Sequence, residues 1–288
     1  MRRLCVALLS ILLFSCAAFL FLGAGFYPSL PLANAQPKVV YLGFDRNEYP
    51  GDEALPILRK TFAFTSYWIG PPPGEKQSSW IGKRAPLQDQ GFGLVVLFNA
   101  REGSTVKNVA EARQKGASDA EVAAKSAERE GFSKGAVIFL DVEEGGRLSP
   151  SYHQYLQSWF EGLTRTGYRP GVYCSAIPVN EGHGVSITTA KDIQDHAGPR
   201  EIIFWVYNDA CPPSPGCSFS PNTPSPSQSG FVPASIWQYV RSPREKELTR
   251  QCPANYAVDG NCYAPGDSAH QWFLDVNTAS SPDPSSTK

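Results

Sequence analysis

Two acidic residues follow directly on an apolar run near the middle of the chain. The run Val137–Leu140 leads into Asp141 and, two positions later, Glu143. Side chains two positions apart on a β-strand point to the same face, so both acids would project together. Such a pair can cleave a glycosidic bond, because one carboxyl protonates the leaving oxygen and another stabilises positive charge. The alternative is that these acids only cap the turn at Gly145-Gly146.

Two more acids stand at the ends of predicted strands. Asp45 follows the apolar run that ends at Phe44, and Asp275 lies in the last such run of the chain. Alone, each would be interpreted as a turn or cap residue. The first and last strands of a closed barrel are neighbours, however, so both carboxylates could meet the pair from the fourth strand at one rim. Clustered carboxylates raise the proton affinity of the least solvated member, but the sequence does not identify which one that is.

These acids need strands to position them. Strand-like runs rich in Val, Ile, Phe, Tyr and Trp occur at Val39–Phe44, Thr61–Trp68, Gly93–Phe98, Ala136–Val142, Gly171–Cys174, Ile202–Tyr207, Ser235–Val240 and Trp272–Val276. Helical patterns lie at Glu53–Lys60, Pro86–Gln90, Ser118–Glu130, Pro150–Thr166 and Thr188–His196. In the third, Ser118 and Glu121 form a capping-box pattern and Gly131 is a stop. The order predicts an α/β protein with a TIM-like barrel, five strand-helix units followed by three strands with irregular loops.

The N-terminus has the layout of a secretory signal peptide. Arg2 and Arg3 precede an apolar run, and Ala33-Asn34-Ala35 offers a small-x-small cleavage site. Residues 1–35 are therefore predicted to be a signal peptide, which places the rest in a secreted, periplasmic or cell-envelope location. An uncleaved anchor is the alternative, because a run of about 23 apolar residues can span a bilayer. A lipid anchor at Cys16 is a further one, although the apolar run continues well past it.

The remaining sequence is predicted to form one domain, residues 36–277, followed by a disordered tail, residues 278–288. The Pro- and Ser-rich stretch Cys211–Ser229 is interpreted as a rim loop, since apolar strands follow it and need partners. Without Arg2 and Arg3, 24 basic residues face 27 acidic ones, a net charge of about −3. This balance indicates no nucleic-acid partner. The protein is expected to be monomeric, and to contact a membrane only if the N-terminal segment stays uncleaved.

Five cysteines follow the signal segment. Cys211 with Cys217, and Cys252 with Cys262, are close pairs that would each bridge a loop in an oxidising compartment, and Cys174 would be a buried thiol in a strand. Metal binding by these cysteines is the alternative, but no CxxC spacing or nearby histidine supports it. The four histidines show no metal-ligand spacing; they are His153, His183, His196 and His270. No glycine pattern suits a phosphate. We therefore expect no metal and no cofactor.

Aromatic residues at strand ends could stack on the faces of sugar rings. Because adjacent strand residues point to opposite faces, only one member of each adjacent pair can face the barrel interior. We expect the substrate-binding residues to be Tyr67, Tyr173, Tyr207 and Trp237. For each of them, a place in the hydrophobic core is the alternative.

The order of short motifs resembles that of glycoside hydrolase family 25 lysozymes. The matching segments are Gly43-Phe44-Asp45, Phe139-Leu140-Asp141-Val142-Glu143, Gly171-Val172-Tyr173, Trp237-Gln238-Tyr239 and Asp275-Val276-Asn277. The chain resembles more closely the glycoside-hydrolase-like domains of domain-of-unknown-function family 1906, through Gly43-Phe44-Asp45, Gly116 with Asp119, Ala120 and Ala124, and Gly167-Tyr168 with Gly171-Val172-Tyr173. The resemblance covers nearly the whole chain after residue 35.

This resemblance implies specific roles for the acids. Glu143 would protonate the leaving oxygen, Asp141 would stabilise the developing positive charge, and Asp45 and Asp275 would be supporting carboxylates. The second strand differs, since Phe64–Gly70 lacks the charged residues of a lysozyme and opens into a loop through Arg84 that would cover the site. The muramic-acid substrate of the lysozymes is therefore not carried over.

Three functions remain open at this point. The first is a secreted glycoside hydrolase that acts on cell-envelope glycan, with a polysaccharide or peptidoglycan as partner. The second is a non-catalytic carbohydrate-binding or envelope-associated module on the same barrel. The third is a hydrolase of another bond, such as an amide. The scaffold does not separate them, because function depends on the site.

Overall fold

Ten strands account for the β-structure of the described residues. The computed structural model describes residues 39–209, 223–252, 256 and 259–286, which belong to one compact unit, Lys38–Lys288. The strands are β1 (Tyr41–Asp45), β2 (Phe64–Trp68), β3 (Gly93–Asn99), β4 (Val137–Asp141), β5 (Arg169–Ser175), β6 (Val179–Gly182), β7 (Val185–Ile187), β8 (Ile203–Tyr207), β9 (Ile236–Ser242) and β10 (Leu274–Ala279). All eight strands predicted from the sequence are present.

Eight of these strands close into a barrel in the order β1-β10-β9-β8-β5-β4-β3-β2. Neighbours pair in parallel except β10, which runs antiparallel to both β9 and β1. Tyr41 lies opposite Ala279 and Asp45 opposite Asp275, so the first and last strands are hydrogen-bonded neighbours. The predicted TIM-like barrel and its closure are confirmed. The reversed direction of β10 is not visible in its apolar pattern, which is the same in either direction.

In the described part of the chain, a helix follows each of the first five barrel strands, and a sixth helix lies between β9 and β10. The helices are α1 (Leu55–Leu58), α2 (Arg84–Asp89), α3 (Val109–Arg129), α4 (Pro150–Arg165), α5 (Thr189–His196) and α6 (Lys246–Thr249). Short 3-10 turns lie at Asp52–Ala54, Gly103–Thr105 and Pro226–Gln228. Among the helices of the described residues, none has the length and hydropathy needed to cross a membrane.

Helix α3 begins nine residues earlier than predicted. Asn108 caps it by accepting a hydrogen bond from the backbone N–H of Glu111 at 3.0 Å, and Ser118 lies inside the helix. The predicted capping box at Ser118 is therefore wrong. The predicted stop is confirmed, because Gly131 follows the last turn with a φ of 79°.

A hairpin between β5 and α5 was not predicted. Its strands β6 and β7 are largely exposed and so lack the apolar alternation that signals a strand. His183 and Gly184 connect them with positive φ angles of 51° and 76°, as the two central residues of a type I′ turn require. The hairpin lies outside the barrel sheet.

The barrel interior is filled by side chains from alternate strand positions. Gly43 leaves room for the ring of Phe64, which a Cβ at position 43 would overlap. The indole N–H of Trp205 donates to Oδ1 of Asn277 at 2.8 Å across the interior. This interior is a packed core, so any open space lies above it, at the carboxyl ends of the strands.

The segment after β10 differs from the predicted disordered tail. Asp283 accepts a hydrogen bond from the N–H of Leu94 at 2.8 Å through Oδ1, and Ser285 accepts one from the N–H of Val96 at 2.9 Å through Oγ. The carbonyl oxygen of Ser285 accepts from the N–H of Val137 at 3.0 Å. These bonds satisfy backbone donors at the amino ends of β3 and β4, a role that a polar Ser- and Pro-rich composition does not signal.

One of the two predicted disulfides lies within the described residues and is confirmed. Cys252 and Cys262 are bonded, with Cα atoms 5.6 Å apart. Cys174 is a free and buried thiol in β5, as predicted. The structure thus bears out the expected state of three of the five cysteines that follow residue 35.

The second predicted disulfide, between Cys211 and Cys217, is not confirmed. Cys211 and Cys217 both lie outside the described residues, so this bond stays a prediction. The predicted signal peptide, residues 1–35, also lies outside them. Of the predicted rim loop, residues 223–229 are described, and they include the short turn Pro226–Gln228.

Candidate functional site

A cavity of about 690 Å³ opens at the carboxyl ends of the barrel strands. All four acids identified from the sequence contribute to its lining: Asp45, Asp141, Glu143 and Asp275. Asp45 and Asp141 are the last residues of β1 and β4, and Glu143 follows β4 by two positions. The strand-end positions therefore bring together residues from opposite ends of the sequence.

Asp141 and Glu143 lie close enough to share a hydrogen bond between their carboxyl groups. Asp141 is only 3% exposed, whereas Glu143 is exposed towards the cavity. Burial, with the neighbouring charge of Glu143, raises the pKa of Asp141 well above its ordinary value. Burial also raises the pKa of Glu143, an effect that the positive charge of Arg241 opposes. The pair thus retains a proton at a pH where free carboxyls are ionised.

Asp45 and Asp275 form a second carboxyl pair across the seam between β1 and β10. They lie opposite each other in the strand register, and the side-chain amide of Asn277 donates to Oδ1 of Asp45 at 2.6 Å. Burial and the charge of Asp275 raise the pKa of Asp45 well above its ordinary value. Burial raises the pKa of Asp275 to about 6, against the attraction of Arg241, whose Nε lies 3.6 Å from Oδ1 of Asp275.

Aromatic side chains form the walls of the cavity. Tyr173 and Tyr207, both predicted, line it, with ring centroids 5.4 Å apart. The hydroxyl of Tyr173 donates to the side-chain oxygen of Gln238 at 2.9 Å, which fixes the ring beside the acids. The structure therefore places two of the four predicted aromatic residues at the site.

The other two predicted aromatic residues lie elsewhere. Tyr67 is fully buried, donates its hydroxyl hydrogen bond to the carboxylate of Glu130 and packs against Trp80 and Phe132. Trp237 is also buried, and its indole N–H donates to the carbonyl oxygen of Asn208 at 3.3 Å. Neither lines the cavity, so this part of the prediction is wrong.

The residues next to them in sequence face the cavity instead. Trp68 takes the place expected of Tyr67, and Gln238 that of Trp237. In β9 the inward position is polar, so choosing the aromatic neighbour gave the wrong face. Trp205 also lines the cavity. It precedes Tyr207 by two positions on β8, so the alternation of strand side chains would have placed both on the same face. Nothing in the sequence pattern singles out Phe273, which lines the cavity and is 64% exposed.

One protein family is similar to the middle part of the chain. Residues 77–209, which contain β3 to β8, match the family model of the Rv2525c-like, glycoside hydrolase-like domain. This part of the chain is similar to that glycoside hydrolase-like domain. The resemblance stated from the motifs is thereby confirmed. Asp141 and Glu143 lie within the matched residues, and Asp45 and Asp275 lie outside them.

Solved structures are similar to this chain at low sequence identity. A B. stearothermophilus protein, described as uncharacterized, has a TM-score of 0.52 and 17% identity, covering 83% of this chain and 95% of its own. The Mycobacterium tuberculosis Tat-secreted protein Rv2525c has a TM-score of 0.46 and 17% identity, covering 85% of this chain and 97% of its own. The modular autolysin LytC from Streptococcus pneumoniae has a TM-score of 0.48 and 14% identity, covering 83% of this chain and 46% of its own. A search of curated proteins finds no match.

The loop after β2 forms one wall of the cavity. Pro73 and Glu75 of this loop line the cavity. Ser78 holds the loop by donating its hydroxyl hydrogen bond to the carbonyl oxygen of Trp68 at 2.7 Å, and the indole of Trp80 donates to the carbonyl oxygen of Asn47 at 2.9 Å. The sequence predicts that this loop covers the site, and the structure shows two of its residues in the cavity wall.

The raised pKa of Asp275 predicts how stability depends on pH. Between the ordinary value of 3.8 and about 6, the folded state binds more protons than the unfolded state, so stability falls as pH rises through this range. Replacing Asp275 with Asn removes this cost. We expect Asp275→Asn to be more stable than the wild type by about 1–2 kcal/mol near pH 8, and equally stable below about pH 4, where the carboxyl is protonated in both states.

Urea unfolding at the two pH values measures this effect. Asp89→Asn is the matched control, because Asp89 is an exposed acid in α2, away from the cavity. A stability difference for Asp275→Asn that is the same at both pH values would contradict the buried-charge explanation.

Proposed function

We propose that this protein is an exported hydrolase that cuts glycosidic bonds in a cell-envelope glycan. The observation that carries the proposal is that Asp141 and Glu143, whose carboxyls lie close together, line an open cavity with the further carboxyls of Asp45 and Asp275. A protonated carboxyl beside ionised ones is what acid catalysis of glycoside cleavage needs. The signal peptide predicted from the sequence and the motif order support the choice of envelope glycan.

Glu143 is the general acid in this proposal. It is the more exposed member of the pair, so its carboxyl can reach a glycosidic oxygen that enters the cavity. Its raised pKa keeps it protonated closer to neutral pH than a free glutamate. Asp141 is only 3% exposed, so in this proposal it acts through Glu143. It accepts a hydrogen bond from the protonated carboxyl of Glu143 until that proton passes to the leaving oxygen.

The separation of the two carboxyls limits the mechanism further. Inverting glycosidases hold their carboxyl groups about 6.5–9.5 Å apart and retaining ones about 5–5.5 Å apart. Asp141 and Glu143 share a hydrogen bond, so Asp141 is not placed across the scissile bond from Glu143. Charge on the sugar ring must then be stabilised from another side, by Asp45 and Asp275 or by an N-acetyl group of the substrate itself.

Aromatic and basic side chains complete the binding surface. Tyr173, Tyr207, Trp68 and Phe273 give flat faces on which sugar rings can stack. Arg241 lies at the rim and offers donors to sugar hydroxyls. Its charge also keeps Asp275 more ionised than burial alone would allow.

The test gives the purified protein peptidoglycan and a panel of neutral polysaccharides, with new reducing ends and new free amines both measured. We expect reducing ends to be released from at least one envelope glycan. Release of amines alone would identify an amide hydrolase and would contradict the proposal. Binding without release of either would favour the non-catalytic carbohydrate-binding module.

A further inference from the structure

Two helices outside the barrel bring two histidines and one aspartate together. His153 is in the first turn of α4, and Asp192 and His196 lie one turn apart on α5. One nitrogen of each imidazole and one oxygen of the carboxylate all lie within 4.8 Å of one another. None of the three lines the carboxylate cavity. The glycoside hydrolase proposal leaves this group without a role.

The carboxylate of Asp192 is fully buried and only half satisfied. Its Oδ2 accepts from the N–H of Leu148 at 2.8 Å and lies 3.0 Å from Nε2 of His153. Its Oδ1 has no hydrogen-bond partner among the described residues. Burying a carboxylate oxygen without a hydrogen-bond partner costs free energy. A ligand that binds Oδ1 would remove this cost.

We propose that His153, Asp192 and His196 form a binding site for a divalent transition-metal ion of the zinc class. Ligands about 2.0–2.1 Å from a tetrahedral zinc ion lie about 3.3–3.4 Å from each other. Here Oδ2 of Asp192 lies 3.0 Å from His153 Nε2, and Oδ1 of the same carboxylate lies 3.5 Å from His196 Nδ1. Two imidazoles and a carboxylate are the donor set of three-ligand sites whose fourth position is left to water. His196 is 46% exposed, which opens that position to solvent.

Two interactions compete with the metal ion. Nδ1 of His196 donates to the carbonyl oxygen of Asp192 at 2.8 Å, so that proton must leave, or the ring must turn, before His196 binds. Nη1 of Arg147 lies 3.6 Å from Oδ1 of Asp192, and its positive charge repels a cation. Arg147 is held mainly by Glu181, through three bonds of 2.8–3.1 Å, and it does not donate a hydrogen bond to Oδ1.

The bound ion would link α4 to α5 in the helix layer. In sequence the signal was weak, because the group combines an Asp-x-x-x-His spacing with a histidine about 40 residues earlier. The spacings between histidines alone do not reveal this group of three residues.

The experiment is a calorimetric titration of the full chain with Zn²⁺ after dialysis against a chelator. We expect one ion per chain. The affinity should fall by about 100-fold or more in His196→Gln, since loss even of a supporting partner costs about 10–100-fold. His183→Asn, which changes an exposed histidine of the β6–β7 turn, is the control and should bind as the wild type does.

Arg147→Gln is a second variant, with an effect in the opposite direction. It removes the competing charge beside Oδ1, so zinc should bind more tightly. Absence of zinc binding in the wild type, equal affinity in His196→Gln, or no gain in Arg147→Gln would overturn the site. Far-ultraviolet circular dichroism shows whether each variant is folded, and glycan cleavage is not needed as a readout.

Discussion

Glu143→Gln is expected to reduce glycan cleavage by about 10² or more while leaving glycan binding within a few-fold of the wild type. The amide has nearly the size of the carboxyl and keeps hydrogen bonding to Asp141, but it has no proton to transfer. Glu143 is exposed to the cavity, so the change introduces no clash. The measurement compares initial rates of reducing-end release on a glycan that the wild type cuts, with binding measured in parallel.

Glu144→Gln is the matched control for this prediction. Glu144 is the next residue, but its carboxylate accepts a hydrogen bond from the backbone N–H of Gly103 and does not line the cavity. A glutamine can accept that bond too, so cleavage should change little. Wild-type cleavage by Glu143→Gln would remove Glu143 as the acid, and equal losses in both variants would indicate a structural effect.

Gly116→Ala is expected to destabilise the protein by about 3 kcal/mol, because the contact between α3 and α4 has no room for a methyl group. A Cβ at position 116 would overlap the carbonyl oxygen of Tyr155 and come within 3.0 Å of Ser158 Cβ. The backbone of α4 cannot move away without shifting the helix. At about 2–4 °C per kcal/mol for a domain of this size, the melting temperature should fall by about 6–12 °C.

Gly145→Ala provides the control for this stability prediction. A Cβ at position 145 would meet no atom of the described residues within 4 Å, so its melting temperature should stay close to that of the wild type. Helix propensity alone would make Gly116→Ala stabilising by about 1 kcal/mol. A rise in melting temperature would therefore show that α3 and α4 pack less closely than the structure indicates.

The sequence predicted the barrel well because its strands carry strong local signals. Apolar runs such as that before Asp141 mark a buried strand and also where it ends, so the acids could be assigned to one rim. Gly116 shows the limit of this reasoning. A glycine inside a helical pattern weakens the prediction of a helix, and only the contact with α4 explains why α3 continues through it.

The site was predicted less completely than the fold, for physical reasons. Which member of an adjacent pair faces inward depends on the register, so Tyr67 was chosen where Trp68 lines the cavity. Arg241 and Phe273 line it from loop or strand-end positions that carry no sequence pattern. The carboxyl pair Asp141 and Glu143 was identified because side chains at i and i+2 of a strand share a face, whatever the register of the other strands.

The position of β10 has a consequence for how the chain acquires its structure during synthesis. β10 lies between β9 and β1, so one edge of β1 remains unpaired until β10 has been synthesised and can pair with it. Donors at the amino ends of β3 and β4 likewise wait for Asp283 and Ser285. A nascent chain that stalls before residue 274 would expose an open sheet edge, which other chains can pair with. Barrel closure therefore has to wait for β10 and the segment that follows it.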